Sequence, residues 1–332
     1  MIFIFAGLAA TAVGLLAFTA IASHVIEARF PQVGERMAAG PRGAAVHVVE
    51  RAPSAPERGA VLLVHGASGN FADLDVALGE RLAALGFRVF AVDRPGHGWS
   101  DRLAGADAAS PAGQAEALRM ALAHRDVERA IVVVHSLAGM LGLAMALEAP
   151  SFTRGLVLLA PVSHPWPGGV AWYYRLAASR RFGPPFRRLF VLPAGLLSMR
   201  GGVREVFAPN PPPTDYAVAT RLPLVFRPRH FRANAEDVVA AEAHVAALSP
   251  RYSAIRVPTA IVTGDRDGVV YAKIHSAGCA RDIPGAKLTV LPGVGHSPHH
   301  SVPSAVVAAI LDVEARALSE ERRQPDRAPA PA

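Results

Sequence analysis

Side chains that can break an acyl bond stand at the ends of apolar runs in this 332-residue sequence. Ser136 lies in Val132-Val133-Val134-His135-Ser136-Leu137-Ala138-Gly139, where a β-branched run gives way to a helix-forming stretch within one residue. So tight a turn exposes the hydroxyl beyond the strand and at a helix N-terminus, where the helix dipole favours developing negative charge. A serine in that place can also do no more than cap the helix. His296 ends Gly293-Val294-Gly295-His296, and the glycines let the loop carry an imidazole back over a sheet edge. An imidazole can take the proton of a serine hydroxyl and return it to a leaving group. His299 and His300 are nearby alternatives, and the three histidines together raise the idea of a metal site. A metal needs defined ligand geometry and usually a carboxylate or thiolate partner, so neither metal nor other cofactor is expected. Thr263-Gly264-Asp265-Arg266-Asp267-Gly268 offers two carboxylates that can hold a histidine tautomer, and one of them can equally be a turn aspartate bonded to its own loop.

Those residues need a scaffold that brings several strand ends to one edge. Val46 to Val49, Ala60 to Val64, Phe87 to Val92, Ala130 to Val134, Gly155 to Leu159, Thr259 to Val262 and Lys287 to Leu291 read as strands. Between them Asp73 to Leu85, stopped by Gly86, Ala112 to His124, and Leu137 to Leu147 have helical spacing, and Val302 to Leu318 closes the chain. Such alternation predicts an α/β fold, a mostly parallel sheet with helices on both faces. The core falls into 44–162 and 254–318. A Pro- and aromatic-rich stretch, 163–253, breaks the alternation as an inserted, mainly helical cap, and 319–332 reads as a disordered tail.

The serine segment resembles the nucleophile elbow of the alpha/beta-hydrolase superfamily, usually Gly-x-Ser-x-Gly, with Val134 and Ala138 in place of the two glycines and Gly139 one place later. The resemblance covers about Ala44 to Ala317 and implies the alpha/beta-hydrolase fold. The chain order serine, aspartate, histidine matches the superfamily's, which places the acid at the fourth position of the Gly-x-x-Asp turn, Asp267, with Asp265 as the alternative. The strand end at Leu158 to Val162 has no carboxylate to compete. His65-Gly66-Ala67-Ser68-Gly69 resembles the oxyanion loop, and the backbone N–H groups of Ala67 and Leu137 would then hold the oxyanion. His65 is expected to brace this loop. Asp93 to Asp101 resembles a further family signature, in which Asp93, His97 and Asp101 are expected as scaffold and Trp99 as pocket lining. The resemblance implies a serine hydrolase that cleaves an ester, thioester or lactone through an acyl-enzyme. A serine at the elbow argues against dehalogenase or epoxide hydrolase chemistry, which relatives perform with aspartate. Carbon-carbon bond hydrolysis or cofactor-free perhydrolysis by the same triad remain alternatives, as does a non-catalytic, membrane-anchored binding protein, suggested by Val134.

Composition sets the surroundings. Hydrophobic residues make up 51% of the chain, and the single cysteine, Cys279, allows no intramolecular disulfide and reads as a packed thiol. The formal charge is +7, carried by arginine with lysine only at Lys273 and Lys287. No concentrated basic stripe or nucleic-acid module appears in the core motifs, so a nucleic-acid partner is not expected. Arg175, Arg180, Arg181, Arg187, Arg188, Arg200 and Arg204 cluster instead in the inserted stretch, interleaved with Phe182, Phe186, Leu189, Phe190 and Leu192. A cap on anionic lipid that admits a lipophilic ester is one reading; a helix packing its apolar face on the core is the other. Met1 to Ile26 contains no Asp, Glu, Lys or Arg and is long enough to cross about 30 Å of hydrocarbon. It reads as a membrane anchor, residues 1–27, with a cleavable signal ending near Ala20-Ile21-Ala22 as the rival; the basic region that precedes a signal's apolar stretch is missing. Arg29, Arg36 and Arg42 follow the span, which by the positive-inside rule puts the remainder in the cytoplasm.

Overall fold

Apolar runs covered on both faces form the middle of a single sheet. The computed structural model describes residues 2–40 and 43–323. Its strands are β1 (Glu35–Ala38), β2 (Ala45–Arg51), β3 (Gly59–Val64), β4 (Phe87–Val92), β5 (Ala130–His135), β6 (Thr153–Leu159), β7 (Thr259–Gly264) and β8 (Lys287–Leu291). They lie in the order β1-β2-β4-β3-β5-β6-β7-β8. From β4 to β8 neighbours are parallel, while β2 runs antiparallel to β4 and β1 antiparallel to β2. This is the mostly parallel sheet that the alternation predicts, in the alpha/beta-hydrolase architecture that the resemblance of the serine segment implies. Strand β1 was not anticipated: in Glu-Arg-Met-Ala only Met37 is buried, so no apolar run announces it.

Alternate residues of the central strands feed two cores. Leu62, Val132, Val134 and Leu158 face the helices Pro111–Ala123 and Gly139–Glu148. Val61, Val133 and Val157 face the opposite side, with Leu78, Leu82, Val306 and Ile310. All six residues of β5 are buried, which is why it reads as an unbroken apolar run. The stretch expected as one helix from Asp73 contains a wide turn at Asp75–Gly79, and its last part, Glu80–Ala84, ends before Gly86 at φ +95°. The closing helix, Pro303–Arg323, runs past Leu318 into the stretch expected as tail; residues 324–332 of that tail lie outside the described residues.

Between β6 and β7 the chain forms helices, chiefly Trp172–Ala178, Leu192–Phe207 and Pro228–Leu248. This insertion is pinned over the carboxyl edge by a buried ion pair, Arg94 Nη1 to Asp237 Oδ2 at 2.6 Å, both side chains at most 1% exposed. Arg102 and Gln114 also reach Asp237. An N-terminal helix, Ile2–Arg29, is the one described helix long and apolar enough to cross a membrane. Its end packs on the insertion through Ile26 and Phe30 against Leu192 and Leu224.

Candidate active site

At the end of β5 the backbone turns through Ser136 at φ +54°, a left-handed conformation that a side-chain-bearing residue adopts only at a cost. The Ser136–Ala138 turn then feeds the Gly139–Glu148 helix, so the hydroxyl sits at a helix N-terminus. Crowding explains the small residues around it. A Cβ on Gly66 would meet the Ser136 Cβ at 2.8 Å, and one on Gly139 would meet Pro161 at 2.6 Å. Val134, where the elbow pattern has glycine, is accommodated from across the interface. Its methyls point at Gly142 of the following helix, where a Cβ would lie 2.8 and 2.9 Å from them.

Three separated loops converge on that hydroxyl. His296 Nε2 is 2.9 Å from Ser136 Oγ, and His296 Nδ1 is 2.8 Å from Asp267 Oδ2. The other oxygen of Asp267 accepts from the backbone N–H groups of Val269 at 2.8 Å and Val270 at 2.9 Å. The Asp267 carboxylate is fully buried, while Ser136 retains 7% and His296 4% exposure. Asp265 does something else: its Oδ1 accepts from Gly293 N at 2.7 Å, tying the acid's loop to the histidine's loop. Asn210, from the insertion and without any sequence motif, clamps the same loop by donating to Gly293 O at 3.0 Å and accepting from Gly295 N at 2.9 Å.

Ala67 and Leu137 line the cavity alongside Ser136. The Leu137 N–H lies in the first turn of a helix, where backbone donors have no intrahelical acceptor. Ser68 N donates to Asn234 Oδ1 at 2.7 Å, so the insertion also fixes this loop. His65 braces it as well: Nδ1 donates to Gly66 O at 2.8 Å and Nε2 accepts from Arg94 N at 3.0 Å. Burial, with Arg94 adding to it, lowers the His65 pKa to about 4, so the ring is neutral. Asp93 is scaffold, accepting from the backbone N–H of Phe71 at 2.8 Å and of Trp99 at 2.9 Å. Trp99, expected at the pocket, is elsewhere. It packs with Ile26, Phe30 and Leu192 under the N-terminal helix, its ring 5.0 Å from the Arg227 guanidinium, because that helix covers the outer side of its loop. Cys279 is buried, and burial raises its thiol pKa to about 12, away from any reactive thiolate.

A second polar cluster adjoins the first. Asp73 Oδ1 accepts from Tyr216 Oη at 3.0 Å and lies 3.0 Å from His300 Nε2, while Oδ2 is 3.3 Å from His299 Nε2. Burial works against ionisation of Asp73, yet His299 and His300 hold it well below the usual carboxylate range. The His299 ring packs tilted at 4.5 Å from His135, which lies 4.8 Å from His296 and bonds the His296 carbonyl at 3.0 Å. Ligand atoms of Asp73, His299 and His300 lie within 4.8 Å of one another, close enough for a cation. A metal-holding imidazole is normally oriented through its second nitrogen, and His299 Nδ1 has no partner among the described residues, so the group is better described as a buried polar cluster around the Asp73 carboxylate. Nothing in the sequence pairs Asp73 with these histidines, which lie more than 220 residues away along the chain.

Above Ser136 opens a cavity of about 980 Å³. Its walls come mainly from the insertion, with Trp166, Trp172, Tyr173, Phe186, Phe190 and Val206 among them, and His296 at its base. It can hold a lipophilic group of substantial length against the serine.

A family model described as alpha/beta hydrolase fold matches residues 59–301, and the chain belongs to that family. An uncharacterised protein of Mycobacterium tuberculosis is 29% identical over 261 residues, covering 75% of this chain and 73% of its own. Among solved structures, the chain is similar to 2-hydroxy-6-oxo-6-phenylhexa-2,4-dienoate hydrolase from a Rhodococcus strain, at 21% identity and TM-score 0.67 over 85% of this chain and 98% of the other. It is also similar to the enol-lactonase of Burkholderia xenovorans, at 19% identity and TM-score 0.65 over 84% of this chain and 99% of the other. At those identities the likeness speaks for the fold alone.

Proposed function

We propose that this protein is a serine hydrolase of carboxylic esters, thioesters or lactones, working through an acyl-enzyme. One observation carries the reading: Ser136 Oγ, at a left-handed turn, stands 2.9 Å from an imidazole whose other nitrogen is 2.8 Å from a buried carboxylate. In this reading His296 Nε2 accepts the Ser136 proton as Oγ attacks the carbonyl carbon. The oxyanion is held by the N–H groups of Ala67 and Leu137, and Asp267 steadies the imidazolium. His296 then gives its proton to the leaving oxygen or sulfur, which departs as the free alcohol or thiol, or stays tethered when the substrate is a lactone. Water, deprotonated by the same imidazole, releases the acid and restores Ser136. The large apolar cavity favours a lipophilic ester, and we read the Ile2–Arg29 helix as the anchor that holds the enzyme at a membrane.

The test is labelling of the detergent-solubilised full chain with a fluorophosphonate. Wild type should label and Ser136→Ala should not. Asp267→Asn should slow labelling severely, by up to about 10,000-fold, as expected when the imidazole loses its orienting anion. Asp265→Asn should keep most of the rate, since it loses only a loop tie. An unlabelled wild type would favour a binding protein on this scaffold instead. Carbon-carbon bond cleavage would use the same groups and is separated by product analysis on ester and vinylogous diketone substrates.

A further inference from the structure

The two faces of the N-terminal helix call for different surroundings. Ala12 and Leu15 are partly buried, and Thr19, Ile26 and, just past the helix, Phe30 are buried. Steps of three and four residues put these on one side. That side lies on the 187–191 turn and the Leu192–Phe207 helix of the insertion. Glu27 clamps it there, 2.7 Å from Nη1 of the buried Arg227. The opposite side is bare and, His24 near the helix end apart, apolar, with Val13 64%, Ile21 65% and Val25 56% exposed. Val13 to Val25 covers about 18 Å of helix axis. Outward side chains along that length need hydrocarbon at the same depth at which the inward side touches the insertion.

The neighbouring surface of the insertion suits that depth. Leu197 is 88% exposed and Phe190, seven residues earlier on the same side, 50%. Rings of Trp172, Phe186 and Phe190 follow one another at 6.3 and 6.0 Å and line the cavity that reaches Ser136. Around them Arg180, Arg181 and Arg188 are exposed, and none is within salt-bridge distance of a carboxylate among the described residues. Exposed aromatic rings with unpaired arginines are what the headgroup level of a bilayer accepts. An apolar patch of this kind on a protein surface marks an interaction site.

We infer that the insertion is sunk into one leaflet beside the anchor helix, and that the cavity opens into that leaflet past Trp172, Phe186 and Phe190. The substrate is then a long-chain carboxylic ester dissolved in the membrane, entering sideways from lipid. This rests on reading the first helix as an anchor and Ser136 as the nucleophile of an ester hydrolase.

The test uses the full chain in phosphatidylcholine–phosphatidylglycerol vesicles. A polarity-sensitive fluorophore is attached at Leu197→Cys or, as control, at Val290→Cys on the edge strand β8, where the native side chain is 49% exposed. Cys279 is buried and does not compete for label. Emission at position 197 should shift to the blue and be quenched by brominated acyl chains, while position 290 should stay aqueous. In parallel, Leu197→Glu combined with Phe182→Glu should lower hydrolysis of a vesicle-held long-chain ester by about tenfold or more. Neither residue lines the cavity, so labelling of Ser136 by a water-soluble short-chain fluorophosphonate should keep its rate. A position 197 as aqueous as position 290 overturns the inference, and so does a chain that fails to float with vesicles. A fluorophore at 197 that is shielded without lipid assigns the patch to a second copy and overturns it too. Failure of the soluble probe to label Ser136 counts instead against the hydrolase reading and leaves the depth measurement standing.

Discussion

Replacing Gly142 with alanine should destabilise the protein, although alanine is the better helix former. In a helix interior the change normally gains about 0.5–1 kcal/mol. Here the new methyl would lie 2.8 and 2.9 Å from the two Val134 methyls and 3.1 Å from Leu156 Cδ1, inside a core where both side chains are 0% exposed. Overpacking of that kind costs about 1–3 kcal/mol, so the single variant should end net unstable by up to about 2 kcal/mol. Val134→Ala alone removes two buried methyls and should cost about 1.5–2.5 kcal/mol. In the double variant the clash at Val134 is gone and the helix gain remains, so Gly142→Ala should now stabilise. The sign of one substitution thus depends on the other residue, with a coupling of about 1–3 kcal/mol. Urea unfolding of the four solubilised proteins measures it. Fluorophosphonate labelling should follow the same pattern, because the clash pushes the Gly139–Glu148 helix off β5 and shifts Ser136 at their junction. Equal effects of Gly142→Ala in both backgrounds would refute the idea that Gly142 is what makes valine tolerable at the elbow.

Acid should destabilise the fold well above the carboxylate range. Burial lowers His65 to about 4, and it also holds His97, His135 and His230 well below an ordinary imidazole. The unfolded rings titrate near 6.5. Between those values the unfolded chain binds more protons, so stability is complete above about pH 6.5 and falls as pH drops towards 4, by about 1.4 kcal/mol per unit for each such ring. The unfolding free energy from urea titration should be lower at pH 5 than at pH 7 by about 2 kcal/mol from His65 alone, with the other rings adding in the same direction, and a flat profile would mean the rings are not held neutral. Asp73→Asn should cost about 3 kcal/mol in the same unfolding assay, because it removes the one carboxylate shared by Tyr216, His299 and His300. Labelling of Ser136 should slow with it, since His299 packs on His135 and His135 on His296; an unaltered rate with reduced stability would confine Asp73 to scaffolding.

What was legible in the sequence, and what was not, follows from how far each residue's reason lies along the chain. Strands β3 to β7 announce themselves because burial on both faces leaves their middles apolar, with polar residues only towards the ends. The histidine loop and the acid's turn announce themselves by glycines, and Gly264 has to be one, because a Cβ there would lie 2.0 Å from Val294 O. Asn210, Asn234 and Asp237 could not be picked out, as each serves a loop 60 or more residues away and its own neighbours show nothing unusual. Trp99 was misplaced for the same reason: its position in a signature loop suggested the pocket, but its partners are Ile26 and Phe30 of the first helix. These distant contacts share a direction. Asn210 holds the histidine loop, Asn234 the oxyanion-like loop and Asp237 the Arg94 loop, so all three ties run from the insertion to the carboxyl edge. The first helix is tied to that same insertion through Glu27 and Arg227. A force that moves the insertion, such as its seating in a membrane, therefore acts on the loops that set the geometry around Ser136, and not only on the entrance to the cavity.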